Sequence, residues 1–434
     1  MVSRRIRVIS WMLCGVLLLA GCEGTAMESS QEEMAVSHVE EVSMPDSAIE
    51  ESQPATSNEN YLADERFDTE EPLEQYDVET QYAYTGMDMC ETEDAYYGRD
   101  LLSEFYMYWD KQSGVSGKLC GKPECAHEDA SCNAYVGPSD SGLTVYEGYL
   151  YWTGADRSNF SGTDRYLWRM NLDGTQREKM QKLAEKEVNR DSLVQIHRGY
   201  IYTAGIYTTV EDGVSQEGIR ITAEPIGVET EPVVVMDETY TDVMLYYTMR
   251  VTGNHIYVLV DKTPLVDEGA YQLELYRWDS KTRQMENLLD LEKSDFSIAD
   301  MQIGEDGTVY FAGKSEGIPG VYRYDFQTES LETVFQWEEE SDAWTRLTKT
   351  HVIALYHESG NPRSIQVRML DGEIVCEREM MWEGRAEDAS YFPIFCGGND
   401  QYVIYNVTYM EDRVMIRVPL NEEEEIRVLW RYEL

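Results

Sequence analysis

An all-β fold, a β-propeller of seven four-stranded blades, is what this 434-residue sequence predicts. The first observation is a short strand rich in Tyr and β-branched residues. It recurs as Phe105-Tyr106-Met107-Tyr108, Tyr149-Leu150-Tyr151-Trp152, Tyr200-Ile201-Tyr202, His255-Ile256-Tyr257-Val258, Thr308-Val309-Tyr310-Phe311, His351-Val352-Ile353-Ala354 and Tyr402-Val403-Ile404-Tyr405. The centres of these copies lie about 43 to 56 residues apart, close to the repeat of propeller blades. The second observation is a following strand of the form apolar-x-Arg-apolar, or a close variant. It is seen in Leu167-Trp168-Arg169-Met170, Ile219-Arg220-Ile221, Leu275-Tyr276-Arg277-Trp278, Val321-Tyr322-Arg323-Tyr324, Val367-Arg368-Met369 and Met415-Ile416-Arg417-Val418. The third is hairpin chemistry after that strand, clearest at Asp173-Gly174 and Asp371-Gly372, since Asp-Gly tolerates positive φ. A blade cannot bury both its faces alone, so it must stack on the next. A β-sandwich pair or a β-helix is the structural alternative, and six or eight blades fit the same spacing.

A ring of blades must also be closed. The usual device completes one blade with strands from both chain ends, and Gln81-Tyr82-Ala83-Tyr84 with Arg427-Val428-Leu429-Trp430-Arg431-Tyr432 are the candidates. The propeller domain then spans residues 80–434.

Ahead of it lie two segments of different composition. Residues 1–21 have a basic start (Arg4, Arg5, Arg7) and an apolar run from Val8 to Ala20. That run is too short for a spanning helix, which needs about 20 residues. Leu19-Ala20-Gly21-Cys22 resembles a lipobox, the site at which bacterial prolipoproteins are acylated and cut. The resemblance implies a signal peptide over 1–21 and a lipidated Cys22, carrying the rest of the chain on the extracytoplasmic face of the cell membrane. Residues 22–79 read as an acidic, disordered linker, with 18 Asp/Glu against the single Arg66 between Glu23 and Thr80. Such a stretch buries too little apolar surface to offset its chain entropy. The whole chain carries a formal charge of −46, which argues against nucleic acid as a partner.

Tyr149-Leu150-Tyr151-Trp152-Thr153-Gly154, followed by Leu167-Trp168-Arg169-Met170-Asn171-Leu172-Asp173-Gly174-Thr175-Gln176-Arg177, is similar to one blade of a YWTD propeller of the low-density-lipoprotein-receptor type. Gly154 stands where that motif has Asp, and the motif does not recur in the other blades. The likeness therefore bears on fold more than on receptor function. The layout of lipobox, acidic linker, divergent propeller and cysteine cluster also resembles surface lipoproteins of Gram-positive anaerobes, a family from which no activity carries over. The recurring arginines read as solvent-facing or paired with a neighbouring blade's acid. The sharper alternative is a ring of arginines lining a central channel for an anion.

Cys120, Cys125, His127 and Cys132 form the one dense chemical constellation, C-x4-C-x-H-x4-C. Three thiolates and an imidazole match the ligand set of a closed tetrahedral zinc site, which would be structural. Disulfides are the competing reading. Six cysteines remain after the signal, including Cys90, Cys376 and Cys396; Cys376 can pair with Cys396, and Cys90 with a thiol of the cluster. His351 and His357 would share a face on one continuous strand, but His357-Glu358-Ser359-Gly360 reads as a turn. Trp337, Trp344 and Trp382, in loops between later blades, are candidates for a ligand face.

No metalloprotease or phosphate-loop motif occurs, and no catalytic residue is assigned. The functional expectation is a membrane-anchored, non-enzymatic binding platform acting as a monomer. It would meet the bilayer through acylated Cys22 and recognise an envelope protein, a peptide or a glycan. Beyond a structural zinc ion it needs no cofactor. An extracytoplasmic hydrolase or lyase acting on carbohydrate is the alternative.

Overall fold

The computed structural model describes residues 65–69 and 89–433, apart from 100–104, 138–139, 157–163, 184–189, 212–213, 266–270, 294–295, 305–306, 338–342, 359–360, 386–390 and 410–411. The signal peptide, Cys22 and most of the linker lie outside the described residues. No helix among the described residues is long and apolar enough to cross a membrane.

The chain forms a seven-bladed β-propeller. Each blade is a four-stranded antiparallel sheet whose strands follow one another in chain order. Blade 1 is Met89–Glu91, Ala95–Arg99, Tyr106–Asp110 and Ser116–Lys118. Blades 2 to 6 span 141–182, 190–241, 243–293, 296–336 and 344–379. Blade 7 is Phe392–Gly398, Tyr402–Tyr409, Asp412–Pro419 and Arg427–Glu433. The recurring Tyr-rich segment is the second strand of blades 2 to 7, and the Arg-bearing segment is the third. Blade 1 departs from the expected register: Tyr106–Asp110 is its third strand, and the second is Ala95–Arg99. Both strands are aromatic, so composition alone does not separate them. The first strand of each blade has no recurrent signature and was not legible in the sequence.

Twist is built in by β-bulges. The pairing of third and fourth strands slips by one residue in blades 2 to 7, for example at Leu167/Trp168, Leu275/Tyr276 and Val321/Tyr322. A bulge adds local right-handed twist, which a blade needs in order to lie against its neighbour. In the two-residue turns Glu147-Gly148, Arg198-Gly199 and Glu316-Gly317 both residues take positive φ, as primed hairpin turns require. At Asp173-Gly174 and Asp371-Gly372 only the glycine does so. There the aspartate contributes its carboxylate instead, accepting from the Thr175 and Glu373 amides at 2.9 and 3.1 Å.

Seven apolar clusters fill the seven seams between blades. The seam between blades 7 and 1 closes the ring, and among the described residues no strand is shared across it. Among the described residues, Arg427–Glu433 pairs only with Asp412–Pro419 of its own blade. Gln81–Tyr84 lies outside the described residues. Tyr96 of blade 1 instead packs among Tyr402, Ile404, Met415 and Trp430 of blade 7. Its ring meets that of Tyr402 edge-on, with centroids 5.8 Å apart.

The recurring arginines do not line a channel. They lie on third strands, away from the first strands that contact one another round the axis, and each of the clearest cases bonds an acid on the fourth strand of its own blade. Arg169 Nε donates to Glu178 Oε1 at 2.8 Å, Arg277 Nη2 to Glu286 Oε2 at 2.7 Å, and Arg323 Nη2 to Glu332 Oε2 at 3.0 Å. Each acid is the registered cross-strand partner of its arginine, and on the other side the partners are Tyr151, Tyr257 and Tyr310. Blades 2, 4 and 5 thus carry a Tyr-Arg-Glu row across three strands. Exposed pairs of this kind add little stability, but they favour one register over its neighbours.

Within the stretch expected to be linker, residues 65–69 are ordered against blades 3 and 4. Phe67 is buried in the cluster between those blades and meets Tyr200 edge-on at 5.4 Å.

The seam between blades 6 and 7 holds a titratable pair of turns. Asp400 accepts from the Thr350 amide at 3.2 Å and lies 3.9 Å from His351 Nδ1. Burial opposes its charge, but hydrogen bonds from His351, Thr348 and Thr350 outweigh this and hold the carboxyl at about 2. The folded value lies below the unfolded value of about 3.9, so this contribution is full above that pH and is lost as pH falls toward 2. Chemical denaturation of Asp400→Asn between pH 2 and 6 should therefore show a deficit against the parent that shrinks on acidification. A deficit independent of pH would contradict the assignment.

Candidate metal centre

The segment between blades 1 and 2, residues 119–137, has almost no regular secondary structure. Its backbone is instead pinned at many points. Leu119 N donates to Tyr106 O, and Tyr106 N to Ala134 O, both at 2.8 Å. Gly121 N donates to Gly174 O at 3.1 Å, and Asn133 Nδ2 reaches the same carbonyl at 2.8 Å. Gly121 and Gly174 pack backbone to backbone. A Cβ on Gly174 would fall 2.8 Å from the Cys120 and Gly121 nitrogens, and the residue also has φ 77°. The Asp-Gly turn of blade 2 is therefore the floor on which the cysteine segment rests.

This pinning brings Cys120, Cys125, His127 and Cys132 together. One ligand atom from each, all within 4.8 Å of one another, forms a group that can hold a metal ion. His127 Nδ1 lies 3.4 Å from Cys132 Sγ. A tetrahedron with metal–sulfur distances of about 2.3 Å has edges of roughly 3.8 Å, so modest closure would suit such an ion. His127 holds φ 57°, unusual for a residue with a side chain. Strain of this kind persists where the surroundings impose it.

The electrostatics are split between two of the thiols. Burial disfavours the Cys120 thiolate, but the Lys122 and Asn133 amides, with the Cys132 and Cys125 thiols, outweigh it and lower its pKa. Burial raises the fully enclosed Cys132 to about 11, against the Ala134 amide. A metal displaces such protons and supplies the charge that burial otherwise penalises.

Arg177 is a residue the sequence reading quoted without singling it out. Its side chain is 4% exposed, and it lies 3.6 Å from Asp140. It donates to Asn133 O at 2.9 Å and also to Tyr135 O, holding the end of the cysteine segment. Its guanidinium sits 4.7 Å from the Trp152 ring and 5.0 Å from the Trp168 ring, which are stacked on each other. Burial pushes the Asp140 carboxyl up despite Arg177, Arg99 and Arg165 beside it. The only available signal was an arginine just beyond an Asp-Gly turn, which many surface arginines share.

The remaining candidates do not converge. Cys90, Cys120, Cys125, Cys132, Cys376 and Cys396 carry no disulfide. Cys376 lies on the fourth strand of blade 6 (Ile374–Glu379) and Cys396 on the first of blade 7, each buried in a different cluster. Trp337 and Trp382 are 8% and 6% exposed. Trp337 Nε1 donates to Gln366 Oε1 at 3.1 Å, and Trp382 packs on Tyr391 at 5.1 Å. Buried indoles cannot present a ligand face, so that expectation fails for these two. Trp344 begins the first strand of blade 6, not a loop; it is half-buried against His357 and Phe392, at 4.6 and 5.6 Å. The strand His351–Glu358 runs through His357, which is not in a turn, and the two histidines sit near its opposite ends.

No family model matches the chain, and no curated protein matches it. Solved structures do. A puromycin hydrolase aligns with TM-score 0.51 at 12% identity, over 83% of this chain and 56% of that one. An oligogalacturonate lyase in complex with manganese aligns with TM-score 0.47 at 11% identity, over 76% of this chain and 86% of that one. The propeller domain of a trilobed protease from Pyrococcus furiosus aligns with TM-score 0.47 at 15% identity, over 80% and 98%. At these identities the likeness extends to the fold alone, and the chain spans little more than half of the hydrolase.

Protein purified without chelators should carry about one divalent ion per chain, as a four-ligand site holds one. Cys132→Ser should lose it and lower the melting temperature, whereas Cys376→Ser should keep it. Equal metal content in the two variants, measured by elemental analysis, would exclude the centre. Because thiols must lose protons to bind, metal should also be released as pH is lowered.

Proposed function

We propose that this chain is a lipid-anchored extracytoplasmic protein whose propeller is an interaction platform, with Cys120, Cys125, His127 and Cys132 holding a structural zinc ion. Soft thiolates and one imidazole suit zinc, and four protein ligands leave no open position for a substrate or water. In this reading the ion braces blade 1, whose first and fourth strands have only three residues each.

The observation that carries the platform reading is at the ends of blades 3 and 4. The second and third strands of blade 3, Tyr200–Glu211 and Val214–Pro225, pair over twelve positions, whereas those of blade 2 pair over six. The far end of this long hairpin carries Val210, 69% exposed, and Val214. The corresponding end of blade 4 carries Leu265, 62% exposed, and its first strand carries exposed Tyr246. Apolar side chains placed in solvent on adjoining hairpins favour a partner that covers them. A protein, a peptide or the apolar face of a glycan meets that requirement. The strongly acidic chain disfavours nucleic acid.

The address rests on Leu19-Ala20-Gly21-Cys22, and the kinship with YWTD propellers rests on the single blade that carries Tyr151-Trp152-Thr153. Monomeric action is part of the same reading.

Two measurements test it. Cys22→Ser should move the protein from the membrane fraction to the soluble fraction. Val210→Asp combined with Leu265→Asp should reduce cross-linked partner capture by at least about tenfold, with stability shifted by only about 0.5 kcal/mol per surface site. Unchanged fractionation in the first case overturns the anchor, and unchanged capture in the second overturns the platform.

A further inference from the structure

Residues 65–69 occupy a socket assembled from three blades. Phe67 is 1% exposed and packs against Tyr200. Arg198, wholly buried in the first turn of blade 3, donates from Nη1 to Arg66 O at 2.8 Å, to Thr69 O at 2.7 Å and to Asn254 Oδ1 at 2.9 Å. Asn254, in the first turn of blade 4, donates from Nδ2 to Phe67 O at 2.9 Å. Lys281, between the third and fourth strands of blade 4, bonds Asp68 at 2.7 Å. The Arg66 guanidinium reaches the Tyr146 hydroxyl of blade 2 and lies where a Cβ on Gly199 would stand.

These contacts share one end of the propeller. In a four-stranded antiparallel blade, the turns between first and second strands and between third and fourth strands lie at one end. The turn between second and third strands lies at the other. Every turn that grips 65–69 is of the first kind. The long hairpin of blade 3, with Val210 and Val214, projects at the opposite end.

We infer that 65–69 is a docking strap that fixes where the acidic spacer leaves the propeller. It makes the end bearing the first turns of blades 2 to 4 the attachment end and leaves the hairpin end facing away. This presentation rests on the proposed lipid anchor at Cys22; the docking itself does not. The strap gives the chain ahead of it a fixed point of departure on the ring.

Limited trypsin digestion of the full chain on membranes tests this, because Arg66 is the only tryptic site between Glu23 and Thr80. Cleavage there requires the strap to lift out. The parent should be cut at Arg66 at least about tenfold more slowly than Phe67→Ala and Arg198→Ala, while Phe67→Leu, which keeps an apolar plug, retains most of the protection. Phe67 lies outside the blades, so its variants test the strap even if Arg198→Ala fails to fold. A parent cut at Arg66 as fast as Phe67→Ala overturns the strap. If the cut propeller stays in the membrane pellet, the anchor fails while the strap is judged on the rates alone.

Discussion

Among the described residues, side-chain packing across the seam between blades 7 and 1 holds the ring shut, with no strand drawn from the other end of the chain. Tyr96, Tyr402, Met415 and Trp430 do this, with the Arg417 guanidinium 4.2 Å from the Tyr402 ring. Apolar burial is non-directional, and aromatic edges add geometric preference to it. Every other seam is filled in the same way, by a cluster drawn from two adjacent blades. Loss of one seam exposes faces on both of its neighbours, which is the price of a fold in which no blade has a core of its own.

That constraint falls hardest on blade 1, which has the shortest strands and sits beside the closing seam. The cysteine segment enlarges what those strands cannot cover. It places Cys132, Ala134 and Val136 in the cluster with Tyr106, Leu150 and Trp152, and Arg177 ties its far end to the stacked Trp152 and Trp168. In the proposed reading a metal ion holds this segment where a longer strand would otherwise lie. Two seams further round the ring, the strap at 65–69 fills the seam between blades 3 and 4 with Phe67. Both additions are irregular chain, recruited to seal seams that the blades leave incomplete.

Much of this was legible because it repeats. The seven Tyr-rich segments recur at a blade's spacing and fall one to each blade, as the second strand in blades 2 to 7 and the third in blade 1, with six Arg-bearing third strands after them. The four residues of the candidate metal centre lie within one short segment, so their association required little tertiary information. What repetition did not mark was lost. First strands bury different residues in every blade and have no signature, and in blade 1 two consecutive aromatic strands shifted the register. Phe67 is one apolar residue in an acidic stretch, and its burial depends on Arg198 and Asn254, more than 130 residues away in sequence.

The sequence by itself pointed to an all-β chain of repeated blades, with seven as the count and six or eight still fitting, and set three thiols and an imidazole within 13 residues. Each of these follows from local pattern: period, turn chemistry and spacing along a few residues. Only the tertiary structure decided that the arginines pair within their own blades and do not line a channel, that Trp337 and Trp382 are packing residues, and that an aromatic cluster packs the seam where the ring closes. Those outcomes depend on which surfaces meet across seams. Seam contacts join residues far apart in sequence, and no local pattern records them.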